Sequence, residues 1–327
     1  MERDRKKIKI LSVTLFISTA LMLIKFAAWI ITHSNAILTD ALESIVNVFA
    51  GAFALYSVNY ASKPKDEDHP YGHGKIEFLS VGLEGTLIAI AGVSIIIKSV
   101  YNLFYPHEIH SLNLGLYLTL FTGFINLFMG IYLQKKGKEL HSVTLVADGK
   151  HIISDAYSSA GLIIGIALIW ISGINWMDSA VAILFGVFIL FTGYKLMRKS
   201  LAGVLDETDY LLVDEIIDVL NKNRKEEWID IHNFRVIKYG SNLHIDCHIT
   251  LPWYYSLEQS HQVVSEVETI LTRESENHVE VFIHADPCLP DSCNICALKN
   301  CAQRKHDFVK QITWTKEVIL KNQKHSL

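Results

Sequence analysis

Charge is scarce over most of this chain. Of 327 residues, 50% are hydrophobic and only 20% are Asp, Glu, Lys or Arg. A soluble chain of this length seldom averages so apolar. The net charge of −4 describes no part of the molecule, because charge thins out before about residue 200 and crowds the stretch after it. Cysteine is nearly absent: the five are Cys247, Cys288, Cys293, Cys296 and Cys301, all in the polar C-terminal part. An odd count in a segment expected in the cytosol argues against a disulfide framework. No basic stripe interleaved with aromatics appears, so nucleic acid is not an expected partner. No His-Glu-x-x-His helix occurs, which removes the signature of an intramembrane metalloprotease. There is no low-complexity tract.

What is present are long apolar runs. A membrane-spanning helix needs about 20 mostly apolar residues. Six segments qualify, roughly 9–32, 36–60, 77–104, 112–134, 143–172 and 177–196. The first follows a basic start and runs too long for a signal-peptide core, so it reads as an uncleaved span. Lys and Arg then sort by loop. Arg3, Arg5, Lys6, Lys7 and Lys9 precede the first span; Lys63, Lys65 and Lys75 lie in the second loop; Lys135, Lys136 and Lys138 in the fourth; Lys195, Arg198 and Lys199 follow the sixth. The first, third and fifth loops have none. This alternation predicts a multi-pass protein of the cell (inner) membrane, in contact with lipid, with both termini cytoplasmic.

Beyond residue 204 the pattern changes to that of a small folded domain. The periodicity predicts helix over 210–224, strands over 228–238 and 243–251, a second helix over 257–273 and a short strand over 279–284. The order αββαβ predicts a ferredoxin-like α+β domain. The division expected is a transmembrane domain at 1–204, a cytoplasmic domain at 205–288, and at 289–327 a Cys-containing loop ending in a helix over 306–320.

Ionisable residues inside apolar spans cost roughly 2.5–3.5 kcal/mol each and need a reason. The second span carries Asp40, Glu43 and Asn47 on one helical face; the fifth carries His151 and Asp155 four residues apart, with Asp148 a turn earlier. Two i, i+4 pairs of oxygen and nitrogen ligands on facing helices make a tetrahedral site suited to zinc and similar ions. Lys25 and Glu84 also fall in apolar runs and are expected to snorkel or to pair. The second loop holds Asp66, His69 and His73, a compact set able to bind metal. In the C-terminal domain, His244 and His248 share a strand face by their even separation, and His284-Ala285-Asp286 closes a strand. Cys288, Cys293, Cys296 and Cys301 have the short spacing of a zinc knot, or form a solvated thiol cluster.

These residues together resemble the cation diffusion facilitator family. The likeness rests on Asn35-Ala36-Ile37-Leu38-Thr39-Asp40-Ala41-Leu42-Glu43-Ser44, on His69-Pro70-Tyr71-Gly72-His73-Gly74-Lys75, on Ala147-Asp148-Gly149-Lys150-His151-Ile152-Ile153-Ser154-Asp155, and on Ile283-His284-Ala285-Asp286-Pro287. The resemblance implies a homodimeric, proton-coupled exporter of a divalent transition metal, Zn²⁺ or Fe²⁺ here, rather than an enzyme. It implies a transport site of Glu43, Asn47, His151 and Asp155, a loop site of Asp66, His69 and His73, and domain sites drawing on His232, His248, His261, His284 and Asp286. A membrane-anchored metal sensor without transport is the other reading. One departure stands out. The family usually has two Asp, or His and Asp, on the second span, whereas Glu43 and Asn47 occupy those places here. Asp40, a turn earlier, would be the source of a missing charge.

Overall fold

The computed structural model describes residues 2–32, 35–105, 112–172, 176–240, 242–275 and 278–326. The chain divides into two compact units, Met1–Leu205 and Asp206–Leu327. The first consists of six long helices: α1 (Glu2–Thr32), α2 (Asn35–Ala61), α3 (Ile76–Phe104), α4 (Leu112–Glu139), α5 (Val143–Ser172) and α6 (Trp176–Val204). They match the six apolar runs but extend past them into basic turns, since a helix need not stop where its apolar stretch does. Over the described residues, α1, α2, α3 and α6 each contain a stretch long and apolar enough to cross a membrane. Large apolar side chains such as Phe16, Phe49, Phe124 and Phe188 face outward, as expected where lipid rather than water is the solvent.

Packing between these helices relies on small residues. Along α3, Gly85 and Gly92 meet Gly186 and Gly193 of α6. A Cβ added at Gly193 would lie 2.6 Å from the Ala89 nitrogen and 2.7 Å from the Gly85 oxygen; one added at Gly92 would lie 2.8 Å from the Leu190 nitrogen. The backbones therefore touch, and α3 with α6 is the most extensive helix pair in the unit. On α4 and α5, Gly130 and Gly149 do the same, each prospective Cβ falling 2.8 Å from the other's carbonyl oxygen. The second of these approaches fixes α5, which carries His151 and Asp155, against α4.

The second unit has helices α7 (Tyr210–Lys222) and α8 (Leu257–Glu274) and strands β1 (Asp230–Tyr239), β2 (Asn242–Leu251) and β3 (His278–Pro287), in sheet order β1-β2-β3. Asp209 caps α7 by accepting from the Leu211 and Leu212 nitrogens, and Ser256 with Gln259 forms a capping box on α8. The β1–β2 pair is antiparallel, closed by a tight turn in which Gly240 takes a left-handed φ of +63°. β2 and β3 are parallel, as their helical crossover requires. This is the αββαβ domain that the periodicity predicts.

Strand alternation sorts the sheet's two faces. Ile245, Cys247, Ile249 and Leu251 of β2 are buried in one core with Ile216 and Leu220 of α7 and Val267 and Leu271 of α8. Each such side chain stabilises by roughly 1.5–3 kcal/mol. The even-numbered residues His244, Asp246 and His248 occupy the other face. A bulge between His232 and Arg235 puts Asn233 at φ +50°, and its freed N–H donates to the Lys321 carbonyl at 2.7 Å.

The C-terminal segment departs from expectation. Only Lys316–Ile319 is helical; residues 306–315 form no helix. Tertiary contacts override the helical pattern there. Trp314 is buried, the Arg224 guanidinium stacks 3.7 Å from its ring centre, and its carbonyl accepts from Asn221 at 2.9 Å. The chain reaches that slot without regular structure.

Candidate metal centres

Within the helical unit, α2 and α5 bring their polar faces together. Asn47 Nδ2 donates to Asp155 Oδ2 at 2.6 Å, and His151 Nε2 stands 3.0 Å from Asn47 Oδ1. The donation to Asp155 fixes the amide, so Asn47 presents its oxygen toward His151, where a cation would need it. Asn47 and Asp155 are half-buried and His151 is buried. Glu43, one turn before Asn47, is exposed in the single chain yet within electrostatic reach of His151. The Asp40 side chain lies outside the described residues. A small cavity of about 30 Å³ adjoins the group, lined among others by Lys25, Ser44, Asn47, Asn126, Asp148 and Asp155. That is room for about one or two waters, or a partly dehydrated ion.

The loop between α2 and α3 gathers its three residues tightly. Asp66 Oδ1 accepts from the His69 backbone N–H at 2.7 Å and pairs with His69 Nδ1 at 2.9 Å, while Asp66 Oδ2 pairs with His73 Nε2 at 3.2 Å. The two imidazole rings are 4.3 Å apart, and His73 is seated edge-on against Tyr60. Gly72, at φ +86°, makes the turn that returns the chain toward Asp66. The hydrogen bond from His69 holds the Asp66 carboxyl below the usual carboxylate range. All three ligand atoms lie within 4.8 Å of one another. Each shared proton occupies a place that a metal ion can take when the ligands are deprotonated.

In the second unit, sheet register builds the cluster. His232 of β1 pairs with His248 of β2, which pairs with His284 of β3, so one imidazole from each strand lines up across the polar face. Asp286, two residues on, sits on the same face. Its Oδ2 is 3.0 Å from His248 Nδ1 and 3.3 Å from His232 Nε2. His284 is more exposed, its Nε2 3.6 Å from Asp286 Oδ1. Partial burial alone would raise the Asp286 carboxyl. The hydrogen bond from His248 and the charges of Lys324, His248 and His232 outweigh it and hold the group low. The chain terminus closes over this cluster. Lys324 Nζ lies 3.6 Å from Asp286 Oδ1 and donates to the Pro287 carbonyl at 2.9 Å, and His325 pairs with Asp230 at 2.9 Å, behind His232.

Two family models account for 11–205 and 209–288, described as the cation efflux transmembrane domain and the cation efflux protein cytoplasmic domain. The chain belongs to the cation diffusion facilitator family. It is 30% identical to an uncharacterized transporter of Synechocystis sp. over 268 residues, 82% of this chain and 86% of the relative. It is 28% identical to the cation-efflux pumps FieF of Serratia proteamaculans and Yersinia pestis over 278 residues, 83% of this chain and 90% of each.

Against the residues that the family resemblance implies, three results differ or add. His261 is exposed on α8 and is not among the residues gathered in the domain cluster. Glu84 does not snorkel. It is 1% exposed on α3, and its Oε2 is 3.5 Å from His151 Nδ1, with neither carboxylate oxygen hydrogen-bonded. An acid there touches the ring nitrogen that faces away from Asn47. Lys25 is likewise buried and donates to Ser44 of α2 at 3.0 Å. The available signal was the lone acid of the middle of α3, beside Gly85, where α6 comes closest.

Proposed function

We propose that this efflux-family protein exports a divalent transition-metal ion, Zn²⁺ or Fe²⁺, from the cytoplasm in exchange for protons, as a homodimer in the cell membrane. The observation that carries this reading is the convergence of Asn47, His151 and Asp155 between α2 and α5, backed by buried Glu84. A site with an imidazole suits Zn²⁺ and Fe²⁺ better than Mn²⁺. Glu43 would be the fourth ligand, one helical turn from Asn47. Metal arriving from the cytoplasm displaces protons from His151 and the carboxylates, and protons returning on the far side expel it. Asn47 carries no exchangeable proton, so its part is to hold Asp155 and offer a neutral oxygen.

The loop and sheet clusters are proposed as cytoplasmic metal sites that report the internal concentration. An exposed His261 is available to a second copy. The test is the purified protein in vesicles with an acidic lumen, challenged with a panel of divalent ions. The expected result is inward movement of Zn²⁺ or Fe²⁺ with proton release. Metal binding without any flux would leave a membrane-anchored sensor instead.

A further inference from the structure

The C-terminal tail holds a cysteine cluster for which efflux needs no role. Cys288, Cys293, Cys296 and Cys301 all line one pocket of about 140 Å³, together with Trp253 and Arg304. Three of the four lie beyond the segment matched by the family's cytoplasmic model. None forms a disulfide. The fifth cysteine, Cys247, is an ordinary core residue of β2.

Three features around the cluster point to a ligand. The chain there has almost no regular structure: a short 3₁₀ turn, Pro290–Asn294, is followed by turns and irregular chain up to Lys316. A short segment with so little regular structure is one that a cross-link or a metal stabilises most. Its floor is apolar and well packed, with Ile229, Ile295 and Cys296 buried and Cys288, Leu298 and Ile312 against them. Polar groups then wrap the sulfurs. Arg304 donates to the carbonyls of Cys293, Cys296 and Leu298 at 2.7–3.0 Å, and the Lys305 N–H points at Cys293 Sγ at 3.4 Å. A backbone N–H aimed at sulfur stabilises a thiolate, the form that ligates metal. Cys288 is tied to the sheet by its own N–H, which donates to the Leu251 carbonyl at 2.8 Å.

We propose that Cys288, Cys293, Cys296 and Cys301 bind one Zn²⁺ as a tetrahedral, structural knot at the root of the C-terminal tail. Four thiolates form a closed coordination shell with no open position, so the ion is held and not passed on. The four thiol protons leave to solvent on binding. The ligand atoms of the two histidine clusters already lie within 4.8 Å of one another, whereas these sulfurs are spaced more widely, so the ion draws the loop in around itself. Fixing this root also sets the course of the tail that ends with Lys324 against Asp286 and His325 against Asp230.

The test uses the full-length protein, purified under reducing conditions and exchanged into Co²⁺. The expected result is about one equivalent of Co²⁺ per chain showing sulfur-to-metal charge transfer and tetrahedral ligand-field bands. Neither imidazole nor carboxylate produces the charge-transfer band, so the other clusters cannot imitate it. The band should vanish in the double variant Cys293→Ser/Cys296→Ser and persist in Cys247→Ser. A mercurial thiol reagent should release an equivalent of Zn²⁺ from the wild type as isolated, a readout that holds even if a serine variant does not fold. Absence of the band in wild type, its undiminished survival in the double serine variant, or mass spectrometry showing the cysteines paired as disulfides would overturn the proposal.

Discussion

Asn47 is the residue on which the proposed transport site turns. Its amide spans His151 and Asp155 with one donor and one acceptor. Asn47→Asp exchanges that donor for a second carboxylate facing Asp155. Each added titrating ligand adds a proton that metal must displace. The expected outcome is a steeper fall of metal affinity with decreasing pH, by about one proton per ion, measured by metal titration at several pH values. In the second unit, burial pushes the Cys247 thiol up to about 12. It therefore stays protonated at pH 8, and mass spectrometry after iodoacetamide treatment should find it unmodified in the folded protein. Asp286 behaves in the opposite sense. Its folded-state value is depressed below an unfolded value of about 3.9, so its contribution to stability is complete above that pH. The contribution is lost as pH falls through the folded value. Denaturation of Asp286→Asn should show less of this acid dependence than the wild type.

Among the elements, α3 and α6 bear the tightest constraint. A side chain at Gly193 meets backbone atoms of α3 that have no room to move. Gly193→Leu should cost about 1–3 kcal/mol or more through overpacking, seen as a lower melting temperature in detergent. At Gly51 an added Cβ would meet only Leu15 at an ordinary 3.6 Å, so Gly51→Ala should be tolerated. The tail is the second element with a clear consequence. Lys324 is a tethered cation on Asp286 and would compete with a metal at the site proposed there. Part-exposed pairs contribute roughly 0.2–1 kcal/mol. Lys324→Ala should therefore tighten metal binding at the His232, His248 and Asp286 cluster by about 1.5- to 5-fold, read by calorimetry. Unchanged or weaker binding would argue against that competition.

These elements also show what a one-dimensional reading can reach. The i, i+4 pairs on α2 and α5 and the Asp66 to His73 loop are short-range patterns: helical geometry places the members of each pair on one face, and a tight turn at Gly72 gathers the loop. Strand alternation was enough to put His244 and His248 on one face. The line of His232, His248 and His284 needed the register of all three strands, and that register depends on a bulge at Asn233. Glu84 was out of reach for a different reason. One acid in an apolar helix carries no partner in sequence, and only the packing of α3 beside α5 brings it to His151. The helix expected over 306–320 failed because burial of Trp314 beside Arg224 outweighs local propensity.

At the scale of the whole molecule, the chain combines a six-helix membrane domain with an αββαβ domain, and polar ligand sets occur in both. On the proposed function, the C-terminal unit would sample the ion that the membrane unit moves. The central claim is that cargo passes through the α2–α5 site. The most direct measurement is pH-gradient-driven Zn²⁺ flux in vesicles with His151→Ala and Asp155→Ala, beside Asp66→Ala in the loop. The account predicts that both membrane variants lose flux, by tenfold or more if about 1.4 kcal/mol of site stabilisation goes with each ligand, while Asp66→Ala retains transport. Undiminished flux in His151→Ala or Asp155→Ala would contradict it.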